Sequence, residues 1–282
     1  MYMNDTKPKE NRKVLKIIPV VFLVLSLALG VFRSFLLFTD IDTANGLYTD
    51  THLGSLFGTC AMVLFVAALL AGFVARRFDY ARPIKNESIS VAFASTICAL
   101  MMVVIFFGDI FDMVVGRRPI SILLCAETVL CVPTILYFFV ICSKGAKTDI
   151  TKPATYSLLP LFPALYAAMR TITLFIDKET QINASQRTFV LLTMICIMMF
   201  FVTDAEFAIP RLCQDKENEK KTMRGIAAKY YALGIAVSSL VLVIIVTYAF
   251  AQAFWLFTDE SLLYNIMDVC FGLYALIRVF SL

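Results

Sequence analysis

Two arginines stand inside long apolar runs, Arg33 in LGVFRSFLLFTD and Arg170 in LYAAMRTITLFID, each followed seven residues later by an aspartate, Asp40 and Asp177. An arginine at mid-membrane depth costs about 2.5–3.5 kcal/mol on insertion scales, so two in matching places need partners or a ligand. Acids are on hand in other apolar runs: Asp109, Asp112, Glu127 and Asp268. A guanidinium grips carboxylates and phosphates through a planar fork of donors. The expectation is an outward-facing polar pocket lined by Arg33, Arg170, Glu127 and Asp268, with Asp109 and Asp112 at its rim. In it the arginines hold an anionic group, and Glu127 and Asp268 neutralise them or carry a coupling proton. The competing reading is that these charges pair only to fix helix register and bind nothing. Snorkelling to the headgroups is disfavoured for both arginines, because side chains lean toward the helix N-terminus, here the membrane centre.

Other chemistry is thinly represented. His52 is the single histidine, no H-E-x-x-H, G-x-x-x-x-G-K-[ST] or G-x-S-x-G motif occurs, and the last two apolar runs lack a mid-depth lysine for a Schiff base. None of the eight cysteines forms a C-x-x-C pair, so they read as small hydrophobes. No catalytic residue, metal ligand or cofactor is assigned. Acids without a nucleophile or metal leave an intramembrane enzyme the least supported class.

The elements that must position these charges follow from composition. With 60% hydrophobic and 16% charged residues and a mean hydropathy of +0.81, the chain is far more apolar than soluble domains. It reads as an all-α polytopic transmembrane bundle, one membrane domain over 1–282 with a polar tail at 1–13. Eight spans are expected: Ile17–Phe38, Leu53–Val74, Ile89–Val115, Ile120–Cys142, Tyr156–Ile176, Thr188–Ile209, Ala228–Phe257 and Leu262–Phe280. A cleaved leader ending near Ala28–Gly30 is the competing reading of the first run, but it would remove half a span. Pro133 should kink the fourth span. The basic residues give direction: eighteen Lys and Arg fall in the N-terminal segment, alternate loops and, as Lys229, the start of the seventh span, against four, Arg117, Arg118, Lys178 and Arg187, in the others. Both termini are therefore predicted cytoplasmic in a cell membrane. Nucleic acid is not implied, and the partners expected are the lipid bilayer, a small solute and a membrane partner protein.

Arg33 and Arg170 then lie at one depth, about 10 Å below the outer end of their spans at about 1.5 Å per residue. Their likeness, with an early acid in SILLCAE (Glu127) and in SLLYNIMD (Asp268), raises two parallel four-helix halves, 14–142 and 156–280. Asp204 and Glu206 read as an interfacial cap, Arg278 as a snorkelling residue, and Trp255, Tyr156, Tyr230 and Tyr231 as an aromatic belt. Ala228, Ala232 and Ala236 form a small-residue stripe, and Gly54 with Gly58 a second packing motif.

The segment PALYAAMR, Pro163 to Arg170, followed by Asn183, Ser185 and Phe200, resembles uncharacterised eight-span integral membrane proteins of anaerobic Gram-positive bacteria. That resemblance implies the span count and a bacterial inner membrane, and it carries no activity or residue roles. Two function classes follow: a binder or transporter of a small charged or zwitterionic solute, or a non-transporting sensor or partner subunit that docks through the charged segment Gln214–Arg224.

Overall fold

The computed structural model describes residues 7–39, 51–76, 89–116, 121–144, 158–176, 184–208, 216–253 and 262–281. Within these the chain forms helices and no strand: α1 (Lys7–Thr39), α2 (Thr51–Ala75), α3 (Ile89–Val115), α4 (Ile122–Lys144), α5 (Leu161–Ile176), α6 (Ala184–Ala208), α7 (Lys216–Ala253) and α8 (Leu262–Phe280). Among the described residues six helices, α1 to α4, α6 and α7, are long and apolar enough to cross a membrane. The chain is a multi-pass helical membrane protein. Helices α5 and α8, of 16 and 19 residues, are about 24 and 28 Å long at about 1.5 Å per residue.

Boundaries depart from the hydropathy reading where charge and proline intervene. Helices α1 and α7 begin at Lys7 and Lys216, well before their apolar runs, because Lys, Glu and Arg are good helix formers and hydropathy marks only where a helix turns greasy. Helix α5 begins at Leu161 rather than Tyr156, after a turn in which the amides of Leu161 and Phe162 bond the carbonyls of Leu158 and Leu159 at 3.0 and 3.1 Å. Pro163 occupies its first turn, where a missing amide costs little.

Six helices pack in a closed ring, α3–α4–α5–α6–α7–α8 and back to α3, while α1 and α2 lie outside it against α7. The cores follow this division. The largest is built from α3 to α8, including Met102, Phe138, Tyr166, Phe201, Phe271 and Tyr274. Two smaller ones join α1 and α2 to α7, through Ala68, Ala71 and Ile235 and through Leu36, Phe57 and Val243. Of the six long apolar helices, α7 is the most enclosed and α1 the least. The expected small-residue stripe on α7 is a contact surface: a Cβ at Gly72 of α2 would lie 2.8 Å from the Ala228 carbonyl oxygen and 2.9 Å from the Ala232 Cβ. Gly58, by contrast, faces open space. Two parallel halves related by an axis would place α1 and α5 alike, but α5 is in the ring and α1 outside it, so the packing does not carry that symmetry.

The outward faces of α1, α2 and α3 present Val24, Phe35, Val63, Phe73, Phe93 and Phe107, the surface a bilayer would solvate. Many buried hydroxyls are satisfied locally. Ser34, Thr128, Thr193 and Thr247 donate to the carbonyls of Gly30, Leu124, Phe189 and Val243, four residues back, at 2.7–2.8 Å. What remains polar inside the bundle is therefore concentrated in charged side chains and tyrosines.

Candidate functional site

One buried polar nest is shared by four helices of the ring, at the end where α3 and α5 finish and α4 and α8 begin. Helix α3 supplies Asp109; α4 supplies Glu127 and Cys131, α5 Tyr166 and Arg170, and α8 Tyr264 and Asp268. The last three pairs are spaced i, i+4, which sets both members of each on one helix face. Arg170 donates from Nη1 to Glu127 Oε1 at 3.5 Å, its one hydrogen bond among the described residues. Its Cζ lies 3.5 Å from the centroid of the Tyr264 ring, a cation–π contact of about 2 kcal/mol when desolvated. The Tyr264 hydroxyl donates in turn to Asp109 Oδ1, so the ring is held flat beneath the guanidinium.

Asp268 and Tyr166 complete the nest in a different way. Asp268 is 2% exposed and Tyr166 0%, and the Asp268 Oδ1 and Tyr166 hydroxyl are buried without a hydrogen-bond partner among the described residues. Both feel the Arg170 charge, yet Asp268 makes no ion pair with it within 4.0 Å. A buried polar group left unbonded costs about 1–3 kcal/mol, more for a charge. Such groups call for something that bonds them.

The structure brings together Arg170, Glu127, Asp268 and Asp109 of the six expected residues. Asp109 is buried under Tyr264 rather than at the rim, while Asp112, one turn further out, is partly exposed. Arg33 does not line this nest. It is 1% exposed, with its Cζ 5.4 Å from the Phe57 centroid and 4.6 Å from that of Phe189. The reason is the position of α1: it packs on α2 and α7 outside the ring, so its arginine meets rings of α2 and α6 rather than the acids of α4 and α8. Asp40 and Asp177 lie outside the described residues, as do Trp255, Tyr156 and Cys213.

A second buried nest, at the opposite end of the ring, was misread from the sequence. Arg278 does not snorkel and Asp204 is no interfacial cap: Arg278 Nη2 pairs with Asp204 Oδ1 at 2.7 Å, and both are buried. Arg278 Nε donates to the Tyr230 hydroxyl at 2.8 Å, and the Tyr137 hydroxyl donates to Asp204 Oδ2 at 2.6 Å while lying 2.9 Å from that of Tyr274. Tyr230 and Tyr231 are core residues rather than a belt, Tyr231 donating to the Leu15 carbonyl at 2.6 Å. Glu206 pairs at the surface with Lys229, 3.6 Å away.

Rings fill the space between the nests. Tyr166 meets Phe271 edge-on at 6.5 Å, Phe271 stacks with Phe138 at 5.8 Å, and Phe138 meets Tyr274 edge-on at 5.3 Å. The interior thus reads polar, aromatic, polar along the ring axis. No three His, Cys, Asp or Glu side chains among the described residues form a metal set, and Cys98, Cys131, Cys196 and Cys270 are buried free thiols. Comparison with protein-family models, curated proteins and solved structures finds no match.

Proposed function

We propose that this chain spans a cell membrane eight times with both termini cytoplasmic, binds a small charged or zwitterionic solute at the Arg170 nest, and carries it across. Supporting the topology, α5 and α8 complete an even count, and the basic residues crowd one set of loops. On that topology the Arg170 nest faces outward and the Arg278 nest inward.

The observation that carries the binding reading is the contrast between the two nests. A purely structural clasp is expected to satisfy its members, as Arg278, Asp204 and three tyrosines do at 2.6–2.9 Å. The Arg170 nest keeps a long 3.5 Å contact and leaves Asp268 Oδ1 and the Tyr166 hydroxyl unbonded. Those unused groups are the ones a solute would take up, and the aromatic layer beneath them closes the way inward until the helices rearrange. The same contrast weighs against a sensor whose intramembrane charges are only structural.

The test is a thermal-shift panel of amino acids, organic anions and nucleosides on the purified protein, run beside Arg170→Gln and the milder Tyr166→Phe. The expected result is stabilisation by at least one solute that both variants weaken. No solute response, or one that neither variant changes, contradicts the binding reading.

A further inference from the structure

From the residues that the nest leaves unused, and resting on the binding reading above, we infer that the solute is a small zwitterion of the amino-acid kind. Its carboxylate lies on Arg170, and its ammonium lies on Asp268 beside the Tyr166 hydroxyl. Arg170 uses one donor on Glu127 and keeps the rest of its fork, which suits a carboxylate. Asp268 is an acceptor with Oδ1 unbonded, and an ammonium, with three donors, can serve it and a hydroxyl together.

The separation of the two charges carries the inference. Arg170 and Asp268 are buried in one nest but stand farther apart than the 4.0 Å of an ion pair. A guanidinium and a carboxyl taken out of water and held apart lose hydration without gaining each other's bonds. A molecule with one charge of each sign repairs both losses at once. It is also neutral overall, so it adds no net charge to a low-dielectric site. A bare anion would leave Asp268 unserved and set a second negative charge near it; a bare amine would bring a cation up to Arg170.

Equilibrium binding to the full-length protein in detergent separates these cases, using three probe sets: small α-amino acids, the corresponding amines, and the corresponding carboxylic acids. Binding is expected for amino acids only. Asp268→Asn should weaken it by about 10- to 100-fold, the loss of a charge-assisted bond, and Tyr166→Phe by less. In Asp268→Asn the acids should gain on the amino acids, because the repulsion on an anion is gone. Size-exclusion profiles matching the unmodified protein establish that the variants are folded. Amines or acids binding as tightly as amino acids, or amino-acid binding indifferent to Asp268→Asn, overturns the zwitterion assignment while the nest remains a binding site. Failure of all three sets to bind overturns both.

Discussion

Arginines in this bundle differ by what surrounds their guanidinium, and the differences predict different losses. Arg278 is locked between Asp204 and Tyr230, so Asp204→Asn should destabilise the protein by about 3–5 kcal/mol, the cost of leaving a buried charge unpaired. Asp204→Leu with Arg278→Met should recover most of that, since a packed apolar pair replaces a buried ionic one with little loss. Chemical or thermal unfolding in detergent measures both, and equal damage from the single and double variants would contradict the pairing. Much of the Arg170 nest was legible in the sequence, because lone charges in apolar text stand out. What could not be read was which charges meet. Arg33 settles on Phe57 and Phe189, and phenyl rings among 25 phenylalanines give no signal. Arg278 looked like a terminal snorkelling residue because Asp204, its partner, is 74 residues away on α6, and the tyrosines that close the cluster resemble interfacial ones.

Among the helices, α7 decides the architecture, and the spacing of its small residues announced this. Gly72 sits in the α2–α7 contact, where an added Cβ would press on the Ala228 carbonyl oxygen. Gly72→Ala should therefore force the helices apart and destabilise by about 1–3 kcal/mol. Gly58→Ala, in open space on the same helix, should be neutral or stabilising by up to about 1 kcal/mol, since alanine is the better helix former. The unfolding midpoint in detergent should fall for Gly72→Ala and stay or rise for Gly58→Ala; a common loss would place Gly58 in a contact as well. The Gly54–Gly58 spacing could not show that Gly58 faces open space and that Gly72 makes the contact instead, because spacing records a face and not its partner. Helix bounds were legible wherever hydropathy and helix end together, as in α3 and α8. They were not where a charged helix runs on past its apolar part, as at Lys216.

At the scale of the whole molecule, the ring of α3 to α8 explains why the two halves are not interchangeable and why Arg33 lies outside the Arg170 nest. Hydropathy could find the helices, but it does not say which of them close a ring, which depends on long-range packing of side chains alike in polarity. The ring places in series a polar nest in which Asp268 Oδ1 and the Tyr166 hydroxyl are unbonded among the described residues, an aromatic layer, and the Arg278 nest. An experimental structure of the purified protein with a small α-amino acid, at a resolution that shows side chains, tests this arrangement most directly. The account predicts density joining Arg170 to Asp268 with the Tyr166 hydroxyl beside it. A guanidinium and carboxylate closed onto each other, dry and with nothing between them, would contradict it.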